Sequence, residues 1–279
     1  NMKLLKRLLI TFVSLYILIL ALVYIDLFDK RPIVSLFKKL QSDSALKVVD
    51  FSVEKPTQER LKPAPNKDRN PYYGDLHVHT KYSFDAYVFG VTASPDDAYR
   101  YAKGEGIKHP LGYEMKLREP LDFYSVTDHG FYMGMMQAYA DTSTDISQND
   151  FARPFHNLND LENLTVESAG ERSNLFSQVI GATIIQPYPN WHPKLLLAYF
   201  TRNTQLALKS FDYDIHKSAW EDIARSANEH NDPGHFTTFI GYEFTTSTDI
   251  EGGNLHRNVI FNSSKASIRP WTRIDSTNP

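Results

Sequence analysis

The stretch Gly74-Asp75-Leu76-His77-Val78-His79-Thr80 constrains this chain more than any other. Side chains alternate faces along an extended strand, so His77 and His79, two positions apart, project to one side while Leu76 and Val78 face the other. Two imidazoles are thereby aimed at one point. Neutral imidazole is the commonest metal-binding side chain, and a rigid pair suits a divalent ion such as Zn, Mn or Fe. A His-x-His pair also occurs as an ordinary polar strand face, so the assignment depends on what the rest of the chain supplies. Cysteine is absent from the 279 residues, which removes disulfides, thiolate zinc sites and a cysteine nucleophile. Any metal must then be held by His and carboxylate. A net charge of -3 leaves no basic footprint for nucleic acid, and 42% apolar residues suffice for one sizeable domain.

Ahead of that domain, Lys3, Lys6 and Arg7 precede an uncharged run from Leu8 to Ile25 broken only by Thr11 and Ser14. As a helix, such a run can cross a hydrocarbon core of about 30 Å. Residues 1–30 are therefore expected to form an uncleaved signal anchor, a single transmembrane helix in the cell membrane. A cleaved secretory signal is the rival, but its apolar core is usually shorter, and no small-x-small cleavage site stands between Tyr24 and Lys30. Lys30, Arg31, Lys38 and Lys39 nearly balance the basic residues on the other side, and the remainder is expected outside the cytoplasm, in the periplasm. Residues 31–71 read as a stalk: an amphipathic segment with Ile33, Val34, Leu36, Phe37 and Leu40, then a linker carrying Pro56, Pro63, Pro65 and Pro71. The domain is expected to span residues 72–279.

Within it, Ser94-Pro95-Asp96-Asp97 has the N-cap serine, first-turn proline and acids that start a helix, which should run to about Lys103. Leu121 to Thr127 reads as a strand ending at Asp128-His129-Gly130. His129 thus sits where strand gives way to loop, the place where parallel α/β sheets and barrels gather their chemistry. Residues from about 131 to 213 show no catalytic pattern and read as a long insertion, with a helical-looking Lys194 to Leu208. Ser218-Ala219-Trp220-Glu221 has capping-box spacing and opens a helix toward His230. A strand from Phe236 to Tyr242 then delivers Glu243, and Leu255 to Phe261 forms another, on which His256 and Arg257 point to opposite faces.

Taken together, Asp75-Leu76-His77-Val78-His79-Thr80 with Tyr82-Ser83-Phe84-Asp85, then Val126-Thr127-Asp128-His129, Gly241-Tyr242-Glu243 and Asn254-Leu255-His256-Arg257 resemble the ordered metal motifs of the PHP (polymerase and histidinol phosphatase) superfamily. Within it the likeness is greatest to the domain-of-unknown-function family numbered 3604, from about Asn70 onward. The resemblance implies an α/β fold, a distorted (β/α)7 TIM-like barrel, here incomplete, with two or three divalent metal ions at the C-terminal ends of its strands. It implies that His77 and His79 bind one ion, that Glu243 bridges ions, and that His129 and His256 bind others. Asp85 matches the acid of the first motif, six residues after His79 where many relatives have five. The implied activity is metal-dependent hydrolysis of a small-molecule or polymer phosphoester. Arg257 either pairs with the substrate phosphate or lies on the opposite strand face.

Two motif copies fall out of order. Gly112-Tyr113-Glu114 precedes His129, and Asp214-Ile215-His216 has the Asp-x-His form that should close the site but precedes Glu243. His109, His156, His192, His230 and His235 sit in apparent loops and are expected to be solvated. After Phe261 no further His and no closing Asp-x-His follow, so the chain reads as the N-terminal portion of a longer protein. The competing reading is a membrane-tethered binding module with a degenerate, non-catalytic site.

Overall fold

The computed structural model describes residues 6–7, 9–19, 43–55, 66–67, 69–182, 211–247, 254–272 and 275. In chain order its elements are β1 (Val48–Asp50), β2 (Gly74–Val78), α1 (Phe84–Val88), α2 (Pro95–Ala102), β3 (Ile107–Lys108), β4 (Glu114–Met115) and β5 (Phe123–Val126). They continue with α3 (Met135–Ala140), α4 (Ala169–Ala182), α5 (Tyr213–His230), β6 (Thr237–Thr238), β7 (Ile240–Ser247), β8 (Asn254–Phe261) and β9 (Lys265–Ser267).

Tyr124, Ser125 and Val126 are consecutive and all buried, the pattern of a strand covered on both faces. β5 accordingly takes the centre of a parallel sheet, with β2 on one side and β6 on the other. β7 follows β6 after one residue and runs beside the chain beyond β5 through a parallel bridge between His129 and Glu243. α2 and α5 cover this sheet. α2 starts where the spacing predicts: the Ser94 side chain accepts from the Asp97 backbone N–H, and the Asp97 carboxylate accepts from that of Ser94. α5 instead begins at Tyr213, before the expected Ser218, because Asp212 accepts from the backbone N–H groups of Asp214 and Ile215. Such a cap is worth about 1 kcal/mol. Its buried stripe, Ala219, Trp220, Ile223, Ala224 and Ala227, keeps helical spacing, and Trp220 satisfies its indole by donating to the Ser267 carbonyl at 2.8 Å.

A second apolar cluster gathers Phe84, Tyr87, Met135, Tyr139, Phe155 and Leu175. It joins α1 to the described part of the expected insertion, residues 131–182. Arg172 rivets this part: its five N–H groups donate to Ser168 Oγ, Asn159 Oδ1 and the carbonyls of Val88, Leu158 and Asn163. A guanidinium has five donors, so none is left over although the side chain is buried. The helix expected over Lys194 to Leu208 lies outside the described residues.

Two expectations are overturned. Among the described residues the sheets are small and no barrel closes. After β7 the chain turns back into β8, antiparallel from Ile240 opposite Phe261 to Ser247 opposite Asn254, and the strand-helix alternation that winds a barrel stops there. The chain is instead mixed α/β, with β9 returning to pair antiparallel with β1. Likewise, among the described residues no helix is long and apolar enough to cross a membrane. The described helical residues 9–19 rise about 16 Å at 1.5 Å per residue, against a core of about 30 Å. A transmembrane helix over residues 1–30, and the single-pass cell-membrane placement drawn from it, are therefore not supported. Residues 8 and 20–25 of that run, and residues 31–42 of the expected stalk, lie outside the described residues.

Candidate metal centre

Parallel strands bring their ends to one rim, and the hydrogen bonds around Glu243 show how. Its N–H donates to the Asp128 carbonyl at 2.9 Å, and the Gly130 N–H donates to its carbonyl at 2.8 Å. These two bonds flank His129 and seat it beside Glu243. On the other side of β5, the register of β2 shifts between Asp75 and Val78, a bulge that re-aims side chains. His77 Nε2 and His79 Nε2 nevertheless reach the same atom, Glu243 Oε2, at 3.0 and 2.8 Å. Asp85, in the first turn of α1, places both carboxylate oxygens 3.2 Å from His79 Nδ1 and Oδ2 at 3.4 Å from His129 Nε2. From β8, His256 Nδ1 contacts the other Glu243 oxygen, Oε1. The register sets His256 opposite Thr245 and Asn258 opposite Glu243, while Arg257 lies opposite Phe244. Paired residues share a face, so Arg257 is turned away. His77, His79, Asp85, His129, Glu243 and His256 come together, and Arg257 does not join them.

The Glu243 side chain is 0% exposed and that of His77 57% exposed, so the cluster has a buried floor and an open side at β2. Burial alone lifts the Glu243 pKa, but His79, His129 and His77 outweigh it and hold the carboxyl at about 2. Burial likewise opposes charge on His79, yet hydrogen bonds to Asp85 and Glu243 push its pKa to about 10. Asp85 responds in kind: burial raises its pKa, and His129 and His79 pull it far below the usual carboxylate range. In this state His79 is an imidazolium between two carboxylates. Beneath them Asp128 is fully buried, which lifts its pKa to about 6 despite bonds from Thr80. It accepts from the Thr80 N–H at 2.5 Å and hydroxyl at 2.7 Å, clamping the chain just after His79 to the chain just before His129.

Three overlapping groups could hold an ion, each with ligand atoms within 4.8 Å of one another: His77, His79 and Glu243; His79, Asp85 and His129; His129, Glu243 and His256. Ligands 2.0–2.1 Å from a tetrahedral ion stand about 3.4 Å apart, so contacts of 2.8–3.2 Å need to open by only a few tenths of an ångström. The residues fit the group they imply. A neutral imidazole offers one lone pair, so His79 and His129 each serve only one of the two groups they share.

Several neighbours carry weight without being obvious from the sequence. Ser83 and Asp128 lie inside the motifs but outside the three groups that could hold an ion. Thr245 Oγ1 lies 2.7 Å from His129 Nδ1 and donates to Glu243 Oε1 at 3.3 Å. The Asn258 amide donates to the Leu76 carbonyl at 2.8 Å, tying β8 to the strand that bears His77. Both sit two residues beyond a candidate ligand, and period-two alternation is the signal that could have found them. The out-of-order copies stay apart: Glu114 is in the β3–β4 hairpin, and His216 is buried within α5. His230 is not simply solvated but contacts Asp96 at 2.7 Å, and His192 lies outside the described residues.

Fold and site together define a mixed α/β protein in which a buried carboxylate is ringed by imidazoles able to hold metal. The chain belongs to the family described as Protein of unknown function (DUF3604), whose model matches residues 66–279. No curated protein and no solved structure matches it.

Proposed function

We propose that this chain is a metal-dependent hydrolase that cleaves phosphate esters at a multinuclear His/carboxylate centre of the PHP type. The observation that carries the proposal is Glu243, fully buried, with Oε2 against His77 and His79 and Oε1 against His256. Imidazoles thus stand at both oxygens, so Glu243 could be shared between two ions if they bind. Bound there, divalent ions such as Zn, Mn or Fe supply Lewis acidity for in-line displacement at phosphorus. The chain's own groups do the rest. Glu243 and Asp85 balance the cationic charge, Asp85 orients His79 as a carboxylate orients a ligating histidine, and the exposed flank at His77 is where a small or polymeric phosphoester approaches.

The test is to strip the purified chain of metal, reload it with Zn, Mn or Fe, and measure bound metal and hydrolysis of aryl phosphate mono- and diesters. The expected result is at least about one tightly held ion per chain, with turnover that chelation abolishes and Glu243→Gln loses. Failure to hold an ion refutes the proposal. Tight metal binding without turnover of either ester assigns a non-catalytic binding module instead.

A further inference from the structure

Ser83 occupies the N-cap position of α1, where a serine hydroxyl ordinarily accepts from the first free N–H groups of the helix. Here it makes no capping bond. Its side chain turns the other way, into the centre, and is fully buried there. The hydroxyl donates to Asp85 Oδ1 at 2.6 Å, accepts from the His129 backbone N–H at 3.2 Å, and lies 3.2 Å from His79 Nδ1.

A hydroxyl has one proton and two lone pairs. Its proton is committed to the shortest of these contacts, to a carboxylate that has nothing to donate. Toward His129 and His79 it can only accept. His79 Nδ1 faces both Asp85 oxygens as well, so every partner around that nitrogen is an acceptor and Nδ1 must carry hydrogen. The other ring nitrogen, Nε2, is the one turned to Glu243.

We propose that Ser83 is a positioning residue of the centre: its hydroxyl joins β2, α1 and the end of β5 and holds His79 so that Nε2 faces the ion. The inference deepens the proposed function and rests on it for the identity of what binds. Alanine at this position would leave the His129 N–H buried without its acceptor and release Asp85 from its shortest bond. Partners of this kind are worth about 10- to 100-fold in metal affinity.

The experiment uses the full chain, Zn2+ as the probe, competition with a chromophoric chelator, and long-range 1H–15N spectra of 15N-histidine-labelled protein. Ser83→Ala is expected to bind zinc about 10- to 100-fold more weakly than wild type, and Ser83→Thr, which keeps the hydroxyl, to recover most of the loss. In zinc-loaded wild type His79 should be protonated at Nδ1 and coordinated through Nε2, and in Ser83→Ala its Nδ1 resonance should move while that of buried His216 stays. Ser83→Ala binding zinc as tightly as wild type, or His79 coordinating through Nδ1, overturns the inference and leaves the metal reading standing. If circular dichroism shows that Ser83→Ala does not fold, Ser83→Gly, which also lacks the hydroxyl and is tolerated at an N-cap, replaces it under the same expectations. If wild type takes up no zinc, the hydrolase proposal falls, and the metal-free spectra decide the role of Ser83. A His79 Nδ1–H that Ser83→Ala perturbs supports it, and one it leaves unchanged overturns it.

Discussion

Replacing Glu243 by Gln removes one charge from the floor of the centre and almost no volume, so the variant isolates what the carboxylate contributes. The Glu243 pKa is displaced from an ordinary 4.5 to about 2, which at about 1.36 kcal/mol per pH unit corresponds to roughly 3 kcal/mol of native-state stabilisation. The side chain is fully buried, and loss of one partner from a buried ion pair independently gives about 3–5 kcal/mol. For a chain of this size about 3 kcal/mol lowers the midpoint of thermal unfolding by about 6–12 °C. The folded-state pKa lies below the unfolded one, so the stabilisation is present above pH 4.5 and is lost as pH falls through about 2. Metal-free wild type and Glu243→Gln, compared by urea and thermal unfolding, should therefore differ most near neutrality and converge in acid. Added metal should widen the neutral gap by stabilising wild type through mass action. A neutral gap below about 0.5 kcal/mol, within the range of ordinary surface substitutions, or a gap that persists in acid, would refute the reasoning.

Other outcomes follow from individual contacts. Arg172→Met strips donors from the buried carbonyls of Val88 and Leu158. At about 1–3 kcal/mol per unsatisfied group it should destabilise by at least about 2 kcal/mol in urea melts and open residues 158–168 to limited proteolysis. In Gly74→Ala the new Cβ would meet the Phe123 carbonyl oxygen at 2.2 Å and its ring at 2.5 Å. Such overpacking against backbone should cost about 1–3 kcal/mol and weaken zinc binding, because β2 carries His77. His216, pushed down to about 3 by burial and by Arg269, stays neutral in the folded chain while the unfolded chain protonates near 6.5. Stability should thus fall as pH drops from about 6.5 to 3, by roughly 4–5 kcal/mol at most, and unfolding of His216→Phe should lack that component. Since metal-free His79 holds its proton up to about pH 10, an ion must displace it. Apparent zinc affinity should then rise about tenfold per pH unit between pH 7 and 9, and calorimetry in buffers of different ionisation enthalpy should detect the released proton.

Local periodicity made much of the site legible. Alternation put His77 and His79 on one face, the composition of Leu121 to Thr127 placed His129 at a strand end, and Glu243 followed an apolar run. The capping box at Ser94 and the buried stripe around Trp220 were readable for the same reason, since both depend on neighbours within one turn. The start of α5 was missed because Asp212 competes with Ser218 as a cap, and spacing alone does not rank them. The membrane expectation rested on hydropathy over one run. The barrel rested on likeness, and strand alternation is identical whether the next strand runs parallel or antiparallel.

By itself, then, the sequence determined which residues could donate to a metal, where the helix after Ser94 and the strand before His129 would form, and that only one of His256 and Arg257 could face the centre. Tertiary structure decided the rest. The antiparallel register of β8 on β7 selected His256, the pairing beside β5 brought Glu243 Oε2 within reach of two imidazoles, and the Ser83 hydroxyl turned from its helix toward Asp85 and His129. Those outcomes depend on groups brought together from residues 77 to 256, and contacts between distant segments leave no periodic trace in the chain that makes them.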